Sequence, residues 1–550
     1  MFIGICGKTE IKMNLKKKRI CSFLTTVLLL LTCVFSAVGC GLERGGSNES
    51  NGSNSSQPPY EFQTIFTDNT EKNSAKYNSA SPEENGEISY DIVKSVGEKN
   101  YMRIRLDTDV NLIGYVHYTN AEDSEVNNAE KFYIEAGSTE FTTFLDAYRK
   151  GAFAAYKKII QKITLKNVDS TKAGKITLKS VDFSDRSYDP NQMMYIDDGM
   201  LRVGTSLGLG GALTYVARIG SNVKEYVNAD GDTIIGRIAD TSNVDLISET
   251  VNLVNTYDLG REIQQSFYWP VKEQHGYIPT SEKKYPGDLN YNPIQCGSAG
   301  SVGPQIVDYY CTKDEIYVKA YGQDWYLVNQ VDATYYENWF KFGDDGVLIV
   351  KNKITNFTQF TDTSGLEFVC QESPAFYSVY PLNYFYAETV QGTIFDNSLC
   401  PYGTGIGKTS LNQNVTDRYY YSLAAGQIPD SWIAYVTEKK FGLGIYNPSA
   451  HSFKASRGYT SIKYADKNNH TTHKDFYDDD YSSYVPSCYA NNYGYLNTGI
   501  TCQMVDFVPL EYSYAIFAGD VTEIRSAFKK LKSSGELVAA SLSWPTREEA

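Results

Sequence analysis

The stretch Asn252-Leu-Val-Asn-Thr-Tyr-Asp-Leu-Gly-Arg-Glu-Ile-Gln-Gln-Ser-Phe-Tyr-Trp-Pro270 sets two amides, a carboxylate and a guanidinium ahead of an alternating segment. Gly260 permits a tight turn between Asp258 and Arg261, which brings the two within reach of a charge-assisted hydrogen bond. Beyond the turn, an extended chain points Glu262, Gln264, Ser266 and Tyr268 to one face and Ile263, Gln265 and Phe267 to the other. A strand of that kind lines a cleft with its polar face while its back packs on a core. Amides, a carboxylate, a guanidinium and a phenol are the groups that read sugar hydroxyls. The plainer alternative is a surface hairpin in which Asp258 and Arg261 only hold the turn.

Other compact polar and aromatic clusters follow. Asn292-Pro-Ile-Gln295 lies just after Pro286 and Gly287, and Gln323-Asp-Trp325 precedes a strand with Tyr335, Glu337 and Trp339 on one face. Glu372-Ser-Pro-Ala-Phe-Tyr377 follows a short apolar strand. Glycoside hydrolysis needs two carboxyl groups across a cleft, and the candidates are Asp258, Glu262, Asp324, Glu337, Glu372 and Glu438. The expected catalytic pair is Asp258 and Glu372. Arg261, Gln264, Tyr268, Asn292, Gln295, Trp325, Glu337 and Tyr377 are the expected substrate-binding residues. A polysaccharide lyase would instead pair an Asn or Arg with a Tyr or His base, for which Asn255, Arg261, Tyr268 and His275 are available.

Several chemistries have no matching pattern. The five His show no H-E-x-x-H spacing, and the Cys show no C-x-x-C pair, so no metal is expected. Gly208-Leu-Gly-Gly211 lacks the spacing, the Walker Lys and the following helix of a nucleotide loop, and reads as a hairpin turn. Asn228-Ala-Asp-Gly-Asp232 lacks the closing Glu of a calcium loop and reads as a tight turn. No G-x-S-x-G is present, so a Ser nucleophile is not expected. No cofactor is expected.

The elements that must position these groups are strands. Tyr (45) and Phe (25) are abundant, and aromatics favour sheets. Short alternating segments at Glu87–Lys94, Asn100–Leu106, Val110–Tyr118, Lys131–Ala136, Ile159–Lys166 and Lys175–Phe183 predict an antiparallel sandwich over 61–185. Its strand order is like that of the jelly-roll sandwiches that serve as carbohydrate-binding modules, with a structural spacer as the alternative. Phe144 to Tyr156 reads as a short helix or a linking loop. After a boundary at Ser184–Met194, a large β region spans 195–550. Its one expected helix covers Glu523–Lys532, capped by Asp520 or Thr522, with Ile524, Phe528 and Leu531 as its apolar stripe. Six Cys follow Cys40, and pairing of sequence neighbours would join 296–311, 370–400 and 488–502, with free buried thiols as the alternative.

The N-terminus has a basic segment at Lys16–Arg19, an apolar run from Cys21 to Ala37, and then Ala37-Val-Gly-Cys40. That is the pattern of a signal peptide over 1–39, complete from Met13. Small residues before a Cys resemble the lipobox of bacterial lipoproteins, although Ala37 stands where Leu is usual. The resemblance implies that Cys40 carries the lipid, with residues 40–60 as a Gly/Ser/Asn-rich tether. The expected location is then the outer face of the bacterial cytoplasmic membrane. Removing residues 1–39, with six basic residues and one acidic, takes the formal charge from −14 to −19. A chain this acidic is a poor match for nucleic acid.

Taken together, Gly-Gly-Ala-Leu-Thr-Tyr (210–215), the 252–268 stretch, Asn-Pro-Ile-Gln (292–295), Glu-Ser-Pro-Ala-Phe-Tyr (372–377) and Gly-Leu-Gly-Ile-Tyr-Asn-Pro (442–448) resemble a group of exported bacterial proteins associated with glycan metabolism. The resemblance covers about residues 195–530. It implies a galactose mutarotase-like β-supersandwich for the large region and a carbohydrate polymer or oligosaccharide as the partner, and brings no catalytic pair. Three functions stay open: a membrane-anchored glycoside hydrolase, a non-catalytic glycan-capture lipoprotein and a polysaccharide lyase.

Overall fold

The computed structural model describes residues 60–78, 86–120, 123–145, 157–190, 192–219, 252–254, 262–267, 292–297, 303–325, 331–359, 368–379, 382, 384–388, 394–395, 420–436, 440–459 and 492–547. Residues 56–550 form one compact unit. It is mainly β, as the composition and alternation predict.

The first nine strands are β1 (Gln63–Thr67), β2 (Glu71–Ser74), β3 (Glu87–Gly97), β4 (Tyr101–Thr108), β5 (Leu112–Asn120), β6 (Asp123–Ile134), β7 (Glu140–Phe144), β8 (Lys158–Asn167) and β9 (Gly174–Ser184). They form two antiparallel sheets, one of β1, β2, β9, β4 and β7 and the other in the order β3-β8-β5-β6. Met102, Ile104 and Leu106 of one sheet meet Ile113, Val116 and Ile163 of the other in a single core. The six segments expected from alternation are all strands. β1, β2 and β7 were not among them: in Glu71–Ser74 (Glu-Lys-Asn-Ser) only Ser74 is buried, so an edge strand of this kind has no apolar period to read. Phe144 closes β7, and residues 146–156 lie outside the described residues.

A three-stranded meander follows, β10 (Met193–Asp197), β11 (Leu201–Ser206) and β12 (Leu213–Arg218). The glycine cluster makes the β11–β12 turn. Gly210 there has φ +61°, and a Cβ on it would lie 2.3 Å from the Gln295 carbonyl oxygen. The glycine therefore serves a close backbone approach.

The remaining strands are β13 (Gln264–Ser266), β14 (Pro293–Ile294), β15 (Ile306–Cys311), β16 (Glu315–Asp324), β17 (Val331–Phe342), β18 (Leu348–Asn356), β19 (Val369–Val379), β20 (Tyr384–Glu388), β21 (Ile394–Phe395), β22 (Tyr420–Ala424), β23 (Trp432–Val436), β24 (Phe441–Tyr446), β25 (Ser452–Tyr459), β26 (Asn492–Cys502) and β27 (Leu510–Asp520). They join one antiparallel sheet in the order β21-β20-β23-β24-β27-β18-β17-β16-β14-β13-β19-β26-β25-β22, with β15 also on β16. Val318, Tyr336, Val350, Ile516 and Leu443 from one wing share a core with Ile263, Phe267, Phe376, Leu496, Ile500 and Phe453 from the other. The sheet therefore curls around its own interior.

Two elements cover the outside of the first wing. The small sandwich packs on Tyr321, Tyr335 and Phe357. The helix α1 (Val521–Ser534) lays Val521, Ile524, Phe528 and Leu531 against Trp432, Tyr446 and Phe517. Asp520 caps it, accepting from the backbone amides of Thr522 and Glu523, while Glu523 reaches back to the Asp520 amide.

The small sandwich is fastened to the large sheet by a charged, aromatic joint. Arg186 donates to Asp308 (2.7 Å) and to the Tyr309 carbonyl (2.6 Å). Its guanidinium carbon sits 4.5 Å from the Tyr309 ring centroid and 4.6 Å from that of Tyr101. Lys131 of β6 donates to the Phe357 carbonyl at 2.8 Å. Burial pushes its ammonium down to about 8.

Cys296, Cys311, Cys370 and Cys502 are free thiols. The 296–311 pairing does not form: Cys296 is buried beside Gln264 and Cys311 is exposed at the end of β15. Cys400 and Cys488 lie outside the described residues.

Candidate functional site

The strand Gln264–Ser266 has the alternation expected of it, and the structure decides which way each face points. Ile263 and Phe267 enter the core of the curl. Gln265, on the same side, donates to Asn352 Oδ1 at 3.1 Å. Gln264 and Ser266 face outward from the curl. Both outward side chains are nonetheless buried, because β13 lies mid-sheet between β14 and β19.

Next to it, β19 carries an irregularity that sets the site. Glu372 pairs with Gly499 and Ala375 with Asn497, so three residue steps on β19 oppose two on β26. The same slip appears against β13, where Gln264 opposes Ala375 and Ser266 opposes Glu372. In a regular strand, residues three apart point to opposite faces. The bulge at Ser373–Pro374 keeps both Glu372 and Ala375 on the outward face. Pro374 cannot donate to a ladder, which suits it to a bulge. The Ser373 carbonyl accepts instead from Asn447 Nδ2 (2.8 Å) and Thr498 Oγ1 (2.7 Å).

A polar cluster results on the outside of the second wing. Tyr495 donates its hydroxyl to Glu372 Oε1 and accepts from Asn497 Nδ2 at 2.8 Å. The Tyr377 ring lies 4.8 Å from that of Tyr495. Ser266 Oγ donates to Asn292 Oδ1 at 3.1 Å. The Asn292 carbonyl accepts from the Trp325 amide at 3.0 Å, and the Trp325 side chain packs with Ile294 and Cys296. Gln264 Oε1 accepts from the Cys296 amide at 3.2 Å and from its thiol at 2.7 Å. Gln264, Asn292, Trp325, Glu372 and Tyr377 are thus brought onto adjacent strands, from β16 through β14 and β13 to β19.

Two expected residues stand elsewhere. Gln295 points into the curl, where it donates to the Gly210 carbonyl (3.0 Å) and to Asn338 Oδ1 (2.7 Å) and accepts from the Gln265 amide (3.2 Å). With Asn338 and Asn352 it forms a buried amide network, so its groups tie strands together inside the core. Glu337 lies on the outward face but in the first wing. It accepts from Tyr317 at 2.8 Å and sits 3.6 Å from Lys319. Burial and the Glu337 carboxylate together push the Tyr317 phenol well above its usual range. Three residues of β16 lie between Lys319, opposite Glu337, and Gln323, opposite Ile294.

Of the other carboxylates weighed, Glu262 and Asp324 are 1% and 0% exposed. Asp258, Arg261, Tyr268, Asn255, His275, Glu438 and Cys40 lie outside the described residues. Among the described residues no group of three or more His, Cys, Asp or Glu converges as a metal site, and no helix is long and apolar enough to cross a membrane.

Tyr495, Asn497 and Asn447 were not anticipated. The signal for two of them is in the sequence. Asn492–Cys502 alternates Tyr495, Asn497 and Gly499 with Leu496, Thr498 and Ile500, a polar face and a mainly apolar one. Asn447 gives no such signal, because its role comes from a bulge on a strand distant in sequence.

No family model and no curated protein matches the chain. Among solved structures, a candidate mutarotase (YeaD) from Salmonella typhimurium aligns over 61% of this chain and 92% of its own, with 9% identity and a TM-score of 0.29. A structure of botulinum neurotoxin type C, described by its interaction with two ganglioside molecules, aligns over 61% and 87% with 8% identity and a TM-score of 0.14.

Proposed function

We propose that the chain is an exported lipoprotein, held to the membrane through Cys40, that binds and processes a polysaccharide or oligosaccharide as a glycoside hydrolase does. The observation that carries the reading is the outward face of β13, β19 and β26. There one half-buried carboxylate, Glu372, is oriented by a phenol and surrounded by amides, hydroxyls and the Tyr377 ring. Carboxylates and amides hold sugar hydroxyls, and aromatic faces stack on the apolar faces of sugar rings. A hydrolase needs a second carboxyl at about 5–10 Å. In this reading Asp258 supplies it, with Arg261 fixing its orientation. The signal pattern and the tether fit a protein that meets its ligand outside the cell.

A second reading is favoured by one observation. Glu262 and Asp324, the carboxylates nearest in sequence to β13 and Trp325, are buried at 1% and 0% exposure, which leaves Glu372 as the half-buried carboxylate among the described residues of the cluster. A glycan-capture protein needs no pair. The lyase alternative rests on Asn255, Arg261, Tyr268 and His275.

Incubation with a polysaccharide panel separates these. New reducing ends without unsaturated products indicate a hydrolase, unsaturated products a lyase, and retention without cleavage a capture protein. Absence of both binding and cleavage across the panel contradicts all three. Cys40→Ser abolishes lipid labelling and releases the protein from membranes; unchanged retention contradicts the anchor.

A further inference from the structure

The carbonyl end of Asn497 is the part of this cluster with no assignment so far. Asn497 is 2% exposed, its Nδ2 is committed to Tyr495, and its Oδ1 has no hydrogen-bond partner among the described residues. Leaving a buried amide oxygen unsatisfied costs about 1–3 kcal/mol, so such an atom wants a donor. The Nδ2–H bond to the phenol oxygen turns the phenol hydrogen toward Glu372, which makes Asn497, Tyr495 and Glu372 one relay. Register puts Asn497 opposite Ala375 on one side and Lys454 on the other. Ala375 is small, and the bulge holds it on the same face as Glu372, so little side chain stands between the amide and the carboxylate.

We infer that Asn497 Oδ1 is a ligand-binding acceptor that takes a hydroxyl of a neutral sugar unit, and that Tyr495 positions Glu372 beside it. The inference rests on the glycan reading above and narrows it. The Asn497 carbonyl and the Glu372 carboxylate both present negative ends, which suit hydroxyl donors and repel a uronate carboxylate. Tyr377, packed on Tyr495, supplies an aromatic surface at the same place.

Calorimetric titration of the full chain with oligosaccharides of a glucan, a xylan and a galactan, and with oligogalacturonate as the anionic probe, tests this. The wild-type protein should bind at least one neutral probe more tightly than oligogalacturonate. Asn497→Ala should weaken that binding about tenfold, the loss expected from one buried hydrogen bond, with an unchanged melting temperature. Tyr495→Phe keeps the ring against Tyr377 and removes only the relay hydroxyl; it should weaken binding about threefold and serves as the test if Asn497→Ala does not fold. Wild-type affinity in both variants, or tightest binding to oligogalacturonate, overturns the inference while leaving the glycan reading intact. Failure of the wild type to bind any of the four probes overturns both.

Discussion

Ser266 stands directly opposite Glu372 across the β13–β19 ladder, and Gln264, two residues earlier, stands opposite Ala375, three residues later. One extra residue at Ser373–Pro374 is what lets two outward residues of β13 meet two outward residues of β19. The candidate site depends on that bulge, whose Ser373 carbonyl is held by Asn447 and Thr498.

Asn447→Ala should therefore act twice. Its Nδ2 serves the Ser373 carbonyl and Thr498 Oγ1 from a fully buried position. Chemical denaturation should show a loss of about 1–3 kcal/mol, the scale of the buried hydrogen bonds that Asn447 makes, while the Ser373 carbonyl keeps Thr498 Oγ1 as a donor. Glycan binding should fall as well, because Glu372 loses its fixed register. Wild-type stability would contradict this account of the bulge.

Arg186→Met should loosen the joint between the small sandwich and the large sheet. It removes a charge-assisted bond to Asp308, a bond to the Tyr309 carbonyl and contacts with the Tyr101 and Tyr309 rings. Asp308 is partly exposed, which screens the ion pair, so the expected loss is about 1–3 kcal/mol. Limited proteolysis should then release a fragment ending near residue 185. Arg186→Lys should rescue only in part, since an ammonium lacks the planar fork.

Acid sensitivity should trace in part to Glu388. Hydrogen bonds from Arg525 and then Lys529 hold its carboxyl down to about 2. A folded-state value below the unfolded one means that the group stabilises above its ordinary range and that this stability is lost as pH falls from about 4.5 toward 2. Both cations are partly exposed, so the effect is modest and weakens with salt. Denaturation midpoints of Glu388→Gln should fall less steeply than wild type over that window. Parallel slopes would contradict the assignment.

The thiols give a labelling prediction. Cys311 is exposed and should react with a thiol reagent in the native state, slowly, because burial nearby pushes its thiol up. Cys296 and Cys502 are buried and should react only after unfolding. Peptide mapping without reductant should show no 296–311 crosslink.

Much of this was legible in the sequence, and for a reason that shows in the strands. β4 alternates cleanly, with Met102, Ile104 and Leu106 buried in the sandwich core and Arg105 and Asp107 exposed. The segment Ile263–Phe267 also declared its two faces. Its burial on both sides was not legible, because the strand's place between β14 and β19 comes from pairings far apart in the chain. Gln295 and Asn292 look alike in Asn-Pro-Ile-Gln, yet one points into the curl and the other out of it. Local sequence puts them three residues apart and cannot tell which faces the core. Tyr495 and Asn497 were readable as an alternating polar face, but only the neighbouring Glu372 gives that face a meaning.

The most direct test of the central claim compares wild-type protein with Glu372→Gln in glycan cleavage and glycan binding, with melting temperature as the control. Gln keeps the side chain's shape and removes its charge. The account predicts that the wild type binds and cleaves a neutral glycan, and that Glu372→Gln folds normally and loses cleavage by at least about 100-fold, the scale of an acid–base contribution. A variant that melts like wild type and processes the same glycan at the wild-type rate would contradict it.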